Sequence, residues 1–327
     1  MAGVGKVATK FREKFSYVQK EAVQWFPGHM GKGLKQMNQQ LKNVDCVIEV
    51  HDARIPLTGR FTEYRNTICG LKPHIYVLNK KDLADMSQTA TICAKLKHIG
   101  LEHVLFTNFR DHQCSGTKKL LPLATKLITQ SNRYNRSDSE DFAIMVIGVP
   151  NVGKSSLINK LRNKHLNKKN ATPVGAVPGI TRSVLTRIKI SENPPVYLLD
   201  TPGILEPQIR DIHTGLKLAA VCCLQDHLVG IQTIADYVLY WMNKNQRLEY
   251  VSVLGLSKPT DDIVEVLTIV AVQMGKQLKL KGVDGRLITR PDYRSAAEHF
   301  LKLFRTGAMG PVCLDLDFVS GDQNHDA

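Results

Sequence analysis

The chain of 327 residues carries 44 Lys+Arg against 30 Asp+Glu, a formal net charge of +14, with 43% hydrophobic and 23% charged residues. That is ordinary globular usage, so a mainly disordered chain is excluded, and no run approaches the ~18 apolar residues that cross a bilayer. At roughly 100–200 residues per domain the length predicts two domains, or one large domain with an appendage; the excess of base points to a polyanionic partner, nucleic acid or acidic lipid.

The charge is unevenly spread. Residues 207–327 hold thirteen bases and fourteen acids, a net of −1, so the whole excess lies upstream. Nine Lys/Arg and no acid fall between 151 and 190, and from Thr306 onward there are four Asp and no Lys or Arg. Seven cysteines, Cys46, Cys69, Cys93, Cys114, Cys222, Cys223 and Cys313, are scattered and never spaced C-x-x-C. This argues against a disulfide framework or a zinc ribbon and for a reducing compartment.

The first twenty residues carry five bases and one acid, Glu13, with Val4, Val7, Phe11 and Phe15 at helical spacing. This amphipathic basic segment, taken as an arm over 1–24, has two readings: a mitochondrial targeting segment, or a basic arm that touches RNA. A strand-then-helix rhythm follows. Residues 44–50 (VDCVIEV), 74–78 (HIYVL), 104–106 and 142–147 (FAIMVI) are short apolar runs rich in β-branched residues. Each leads through a polar turn into a helical segment, which predicts an α/β fold with a mostly parallel sheet covered on both faces over 25–206. Residues 181–190 alternate as an edge strand would, and 195–199 enter another buried strand. After Pro207 the strand signal fades. Helical segments near 211–224, 231–244, 260–276 and 291–305 predict a smaller, all-helical domain over 207–310, followed by an acidic tail over 311–327.

Three motifs carry chemistry. Residues 148–155 read G-V-P-N-V-G-K-S, the G-x-x-x-x-G-K-[ST] phosphate loop, between the strand FAIMVI and the helical SSLINKLR. Backbone N–H groups from Asn151, Val152, Gly153 and on to Ser156 converge on phosphates, Lys154 neutralises the β/γ oxygens and Ser155 ligates Mg²⁺. Asp200-Thr201-Pro202-Gly203 closes the strand VYLL; Asp200 is placed to hold a Mg²⁺-bound water and the Gly203 N–H to meet a γ-phosphate. Asn79-Lys80-Lys81-Asp82 closes HIYVL. Asp82 accepts from N1–H and N2–H₂ of guanine, a donor pair that adenine lacks; Asn79 braces the site and the Lys80 stem packs on the base. Together the three select GTP/GDP with Mg²⁺. Thr107-Asn108 follows the strand VLF where a base-contacting loop is expected. Thr181 reads either as the switch threonine for Mg²⁺ and γ-phosphate or as an ordinary strand threonine, and Asn151 either as a K⁺ ligand or as a side chain bonding backbone.

The order of the motifs is unusual, because N-K-x-D precedes the phosphate loop. The sites must still converge, so the domain reads as circularly permuted, with the cut just after Gly203. With Trp25-Phe26-Pro27-Gly28-His29-Met30 and Asp52-Ala53-Arg54-Ile55-Pro56, the chain from about 25 to 317 resembles the circularly permuted GTPases of the bacterial ribosome-biogenesis GTPase A type and its animal mitochondrial members. The resemblance implies GTP hydrolysis, a C-terminal domain engaging ribosomal RNA, and a role in assembling the large ribosomal subunit in the mitochondrial matrix. A monomer without transmembrane insertion is expected, with peripheral association at the inner membrane left open. Ile204 follows the DTPG motif, where many GTPases place a water-orienting Gln; an aliphatic side chain cannot do this, so turnover alone is expected to be slow. His29 is the candidate for that task, the other reading being a histidine that satisfies a turn. Arg54 reads as an internal arginine finger or as one half of a packing ion pair. Residues 160–169 with 182–189, and 276–305, are basic regions that meet RNA or are solvated faces.

Overall fold

The computed structural model describes residues 11–16, 35, 37–60, 72–166, 187–203, 211–281 and 287–320. The apolar runs become strands β1 (Cys46–Asp52), β2 (His74–Asn79), β3 (Val104–Phe106) and β4 (Phe142–Ile147), joined by β5 (Arg187–Glu192) and β6 (Pro195–Asp200). They form one six-stranded sheet in the order β3-β2-β1-β4-β6-β5, parallel except for β5. Every side chain of β1 is buried, as a strand covered on both faces requires. The expected edge strand begins, within the described residues, at Arg187; its inward residues Ile188 and Ile190 alternate with exposed or half-exposed neighbours.

Helices α1 (Thr89–His98), α2 (Ser115–Thr129) and α3 (Lys154–Leu166) connect the strands. On one face of the sheet Met37, Leu41, Val44, Val47, Met145 and Ile147 form one apolar cluster, and Tyr76, Leu78, Ile92, Leu96 and Leu101 belong to another. Between them lies a polar group that the apolar run 44–50 does not announce. Glu49, buried, takes a 2.8 Å hydrogen bond with His51 Nε2, and His74 Nε2 lies 3.0 Å from its other oxygen. Burial alone would raise this carboxyl, but the two imidazoles outweigh it and hold Glu49 well below the usual carboxylate range.

The chain divides into two compact units, but not where the sequence boundaries fall. Residues 23–225 and 311–327 form a nucleotide unit; residues 1–22 and 226–310 form a second unit. The break comes at Asp226 and not at Pro207, because α4 (Ile212–Ala220) buries Leu216, Leu218, Ala219 and Ala220 and groups with the sheet. The strand signal does end at Pro207, but the next helix still belongs to the nucleotide unit. Residues 311–320, expected as part of an acidic tail, belong to the nucleotide unit. Cys313 and Val319 enter its core, with α10 at Leu316–Ser320.

The second unit contains α5 (Asp226–Val229), α6 (Ile231–Lys244), α7 (Glu249–Val253), α8 (Ile263–Gln273) and α9 (Tyr293–Arg305). Asp262 caps α8 by accepting from the Val264 and Glu265 amides, and Asp292 caps α9 by accepting from Ser295 N–H. The expectation of an all-helical unit needs one addition, an antiparallel hairpin of β7 (Gln277–Lys281) and β8 (Leu287–Pro291). Gln-Leu-Lys-Leu-Lys alternates with period two, a strand signal overshadowed by the helices around it. Residues 11–16 are packed onto this unit. The Arg12 guanidinium donates to both Asp236 oxygens at 2.7 and 3.3 Å, Phe15 meets the Tyr237 ring edge-on at 5.3 Å, and Tyr240 donates to the Glu13 carbonyl. Among the described residues no helix is long and apolar enough to cross a membrane.

Candidate nucleotide-binding site

All parallel strands run the same way, so their carboxyl ends, Asp52, Asn79, Phe106, Ile147 and Asp200, deliver their loops to one edge of the sheet. In open α/β sheets ligands bind outside this edge. The three motifs, although permuted in the chain, meet there.

The phosphate loop leaves β4 through Gly148 (φ 140°), Asn151 (φ 60°) and Gly153 (φ 106°). The left-handed residues turn successive N–H groups into a concavity, and α3 starts at Lys154, so the first-turn amides that lack intrahelical acceptors face the same place. Lys154 is buried and donates to the Gly148 and Val149 carbonyls at 3.0 and 2.9 Å, closing the loop on itself. Desolvation lowers its pKa to about 8, against the attraction of Asp200. Asn151 Nδ2 donates to the Cys222 carbonyl at 3.0 Å, which ties the loop to the turn after α4. Asn151 thus bonds backbone through its amide nitrogen.

Asp200 stands at the end of β6 with Oδ2 3.4 Å from Ser155 Oγ, while its buried Oδ1 has no hydrogen-bond partner among the described residues. Burial pushes this carboxyl above its ordinary value, with Lys154 opposing. A part-buried hydroxyl–carboxylate pair with an unused oxygen is a donor set that fits a small divalent cation. Thr201 Oγ1 donates to the Val146 carbonyl at 2.6 Å and pins the start of the switch to β4. Gly203 lies against the phosphate loop: a Cβ there would meet Pro150 Cα at 2.6 Å, so no other residue fits without moving backbone.

Asn79 joins the base loop to the phosphate loop. Its Nδ2 donates to the Val152 carbonyl at 2.8 Å, 73 residues away, and its Oδ1 accepts from the Phe109 amide at 3.1 Å. Thr107 Oγ1 stands 3.4 Å from the same oxygen. A Cβ on Gly153 would fall 2.5 Å from Asn79 Nδ2, so this glycine serves the close approach of the two loops. Asp82 is exposed. Thr107 supports the N-K-K-D turn by accepting from the Lys81 amide at 3.0 Å; Asn108 spends its side-chain oxygen on the Arg110 amide at 2.9 Å.

Several supporting groups had no assigned role in the motif reading, Asp52 being named there only as part of the Asp52–Pro56 motif. Asp52, fully buried, receives Lys80 Nζ at 2.8 Å and a forked pair from Arg54 at 2.9 and 2.8 Å. Those cations more than offset its desolvation and hold the carboxyl well below its usual range. Arg54 therefore belongs to the ion pair, not to a finger aimed at phosphate. A charge interrupting an apolar strand end was the available signal for Asp52; nothing local marked Phe109 or Cys222. His29, Thr181 and Ile204 lie outside the described residues.

Residues 143–268 match the family described as 50S ribosome-binding GTPase. Mitochondrial GTPase 1 of Aedes aegypti is 57% identical, the match covering 95% of this chain and 99% of the relative. Mitochondrial ribosome-associated GTPase 1 of Bos taurus is 49% identical, over 96% and 95% of the two chains. Ribosome biogenesis GTPase A of Bacillus cereus is 32% identical over 93% and 97%. Among solved structures, GNP-bound YlqF from T. maritima superposes with a TM-score of 0.53 at 25% identity, covering 85% of this chain and 95% of that one. At this identity over almost the full length, the chain belongs to the circularly permuted GTPase family that includes mitochondrial ribosome-associated GTPase 1 and bacterial ribosome biogenesis GTPase A.

Proposed function

We propose that the protein is a GTP-binding and GTP-hydrolysing switch that associates with the large subunit of the mitochondrial ribosome, on the matrix side, and promotes its assembly. The observation that carries the nucleotide reading is Asn79 bonding Val152: it joins a guanine-reading loop to a phosphate loop 73 residues downstream. The names of the relatives support the ribosomal setting.

In this reading Asp82 accepts from the guanine edge while the Lys80 stem, held by Asp52, lies against the base face. Lys154 exchanges its two carbonyl partners for phosphate oxygens, and the amides of residues 151–156 complete the cradle. Ser155 and Asp200 would hold Mg²⁺, the latter through water, with Thr181 as a further ligand; the ion supplies charge neutralisation at the β/γ oxygens. Asn151 Oδ1 is the candidate ligand for K⁺. With Ile204 unable to orient water, that task falls to His29, brought inward by the ribosomal partner. RNA contact is assigned to the second unit and to the basic region after the phosphate loop. Lys279, Lys281 and Arg290 all lie exposed on the β7–β8 hairpin.

The test is GTP turnover by the full chain with and without purified large subunits. A rise of at least about tenfold, the effect of ~1.4 kcal/mol in the barrier, is expected, together with its loss in His29→Ala. Equal rates would leave a GTP-responsive RNA-binding scaffold as the better description.

A further inference from the structure

The nucleotide unit is completed by a piece of chain that no nucleotide motif contains. After Gly310, the last residue of the second unit, the backbone runs as a short strap along the loops that follow β1 and β2. Val312 N–H donates to the Leu83 carbonyl and the Val312 carbonyl accepts from Asp85 N–H, both at 3.1 Å, a parallel bridge that brackets Ala84. Leu83 directly follows Asp82. Two residues on, Leu314 N–H donates to the Arg54 carbonyl at 2.7 Å, and the Arg54 side chain holds Asp52, which holds Lys80. Asp315, fully buried, then accepts from the Leu57 and Thr58 amides at 2.8 Å each and from the Thr58 hydroxyl, and pairs with buried Lys217 of α4 at 3.3 Å.

The strap thus grips the base loop twice, at the backbone beyond Asp82 and, through Arg54 and Asp52, at Lys80. The grip has something to restrain. Lys80 is held at φ 62°, a left-handed conformation that a non-glycine residue keeps only when its surroundings impose it. Its fellow N-K-K-D residue Asp82 is exposed, and apart from the strap its turn is held by the Leu83–Lys80 and Ala84–Lys81 backbone bonds and by the Thr107 carbonyl on the Lys81 amide. Val312, Cys313, Leu314 and Asp315 are all buried, so the strap cannot be peeled away without exposing apolar surface and a charge.

We propose that residues 311–316 are a positioning element for guanine recognition: the Val312 bridge and the Asp315 anchor fix Asp82 and Lys80 in the geometry that distinguishes guanine from other bases. This rests on the reading of Asp82 as the guanine acceptor, and the test separates the two. GDP and IDP, whose base lacks the 2-amino group that Asp82 accepts from, are titrated into the full-length protein and its Val312→Pro, Val312→Ala and Asp82→Asn variants. Val312→Pro removes the N–H that bonds Leu83. It is expected to weaken GDP about tenfold and IDP less, so that the GDP/IDP preference falls; Val312→Ala, which keeps the N–H, holds the preference of the parent. In the unsubstituted protein, GDP should slow hydrogen exchange at the Val312 and Asp85 amides, because coupling between base and strap is reciprocal. The exchange measurement decides the matter if Val312→Pro does not fold. An unchanged preference in Val312→Pro, or amides indifferent to GDP, overturns the strap. If Asp82→Asn also leaves the preference unchanged, the reading of the site itself fails.

Discussion

Lys154 shows how much one side chain's setting says about binding. It is buried against two carbonyls and desolvation lowers its pKa to about 8. Phosphates favour its charged form, so the bound pKa lies higher than the free one. The sign follows: below about pH 8 Lys154 is already protonated and affinity is flat. Above it, binding must take up a proton, and affinity falls by up to about tenfold per pH unit. Dissociation constants for GDP at pH 7, 8 and 9 check this; a flat profile in Lys154→Arg, which stays charged, assigns the effect to this residue. Glu49 and Asp52 are the complementary cases, carboxylates held ionised inside the sheet by imidazoles and by Arg54 with Lys80. Each is an acid with one neutralising partner two residues along the chain and another, His74 or Lys80, brought by β2 and the loop that follows it.

Among the elements, residues 11–16 make contacts that the sequence reading of 1–24, a targeting segment or a basic arm that touches RNA, does not foresee: a forked Arg12–Asp236 pair beside an edge-on Phe15. Arg12 lies within 6 Å of both the Phe15 and Tyr240 rings, so charge and aromatic contact reinforce each other. Arg12→Ala leaves Asp236 and Asp261 without their cation, and Phe15→Ala removes a ring from the Tyr237 and Tyr240 faces. A loss of about 1–3 kcal/mol in unfolding free energy is expected for either, read by chemical denaturation as a lower midpoint. Unchanged midpoints would return residues 11–16 to the status of a dispensable arm. The hairpin β7–β8 is the converse case. Leu278, Leu287 and Ile288 are among the large apolar side chains left exposed, beside Lys279, Lys281 and Arg290, so the element has a surface with no covering of its own among the described residues.

For the whole molecule, the +14 charge is carried by the nucleotide-binding part of the sequence, with the residues from 207 onward near neutral. If ribosomal RNA is the partner, its affinity must fall with salt. A plot of log K against log salt should slope by roughly −0.7 to −0.9 for each phosphate neutralised, several units in all. Equilibrium binding to large subunits between 50 and 200 mM salt (about a fourfold range) measures it, and a slope near zero would mean that proteins, not RNA, form the contact.

Sequence alone determined what depends on local backbone demand. The phosphate loop needs its glycines and Lys154 at set spacing, β1 and β4 need uninterrupted apolar runs, and N-K-K-D needs a strand before it. For that reason the site motifs, the parallel sheet and the permuted order were legible, and the sheet order β3-β2-β1-β4-β6-β5 agrees with them. What remained hidden depends on partners far apart in the chain. Asp315 gathers Leu57 and Thr58 from more than 250 positions away, Asn151 finds a carbonyl at Cys222, and Arg12 finds Asp236. The boundary at Asp226 follows from what α4 buries, not from where strands stop. Residues 311–316 look like an acidic tail because an isolated Asp in a sequence is a solvated charge. Only the fold, by burying Asp315 among backbone amides and Lys217, turns that charge into an anchor.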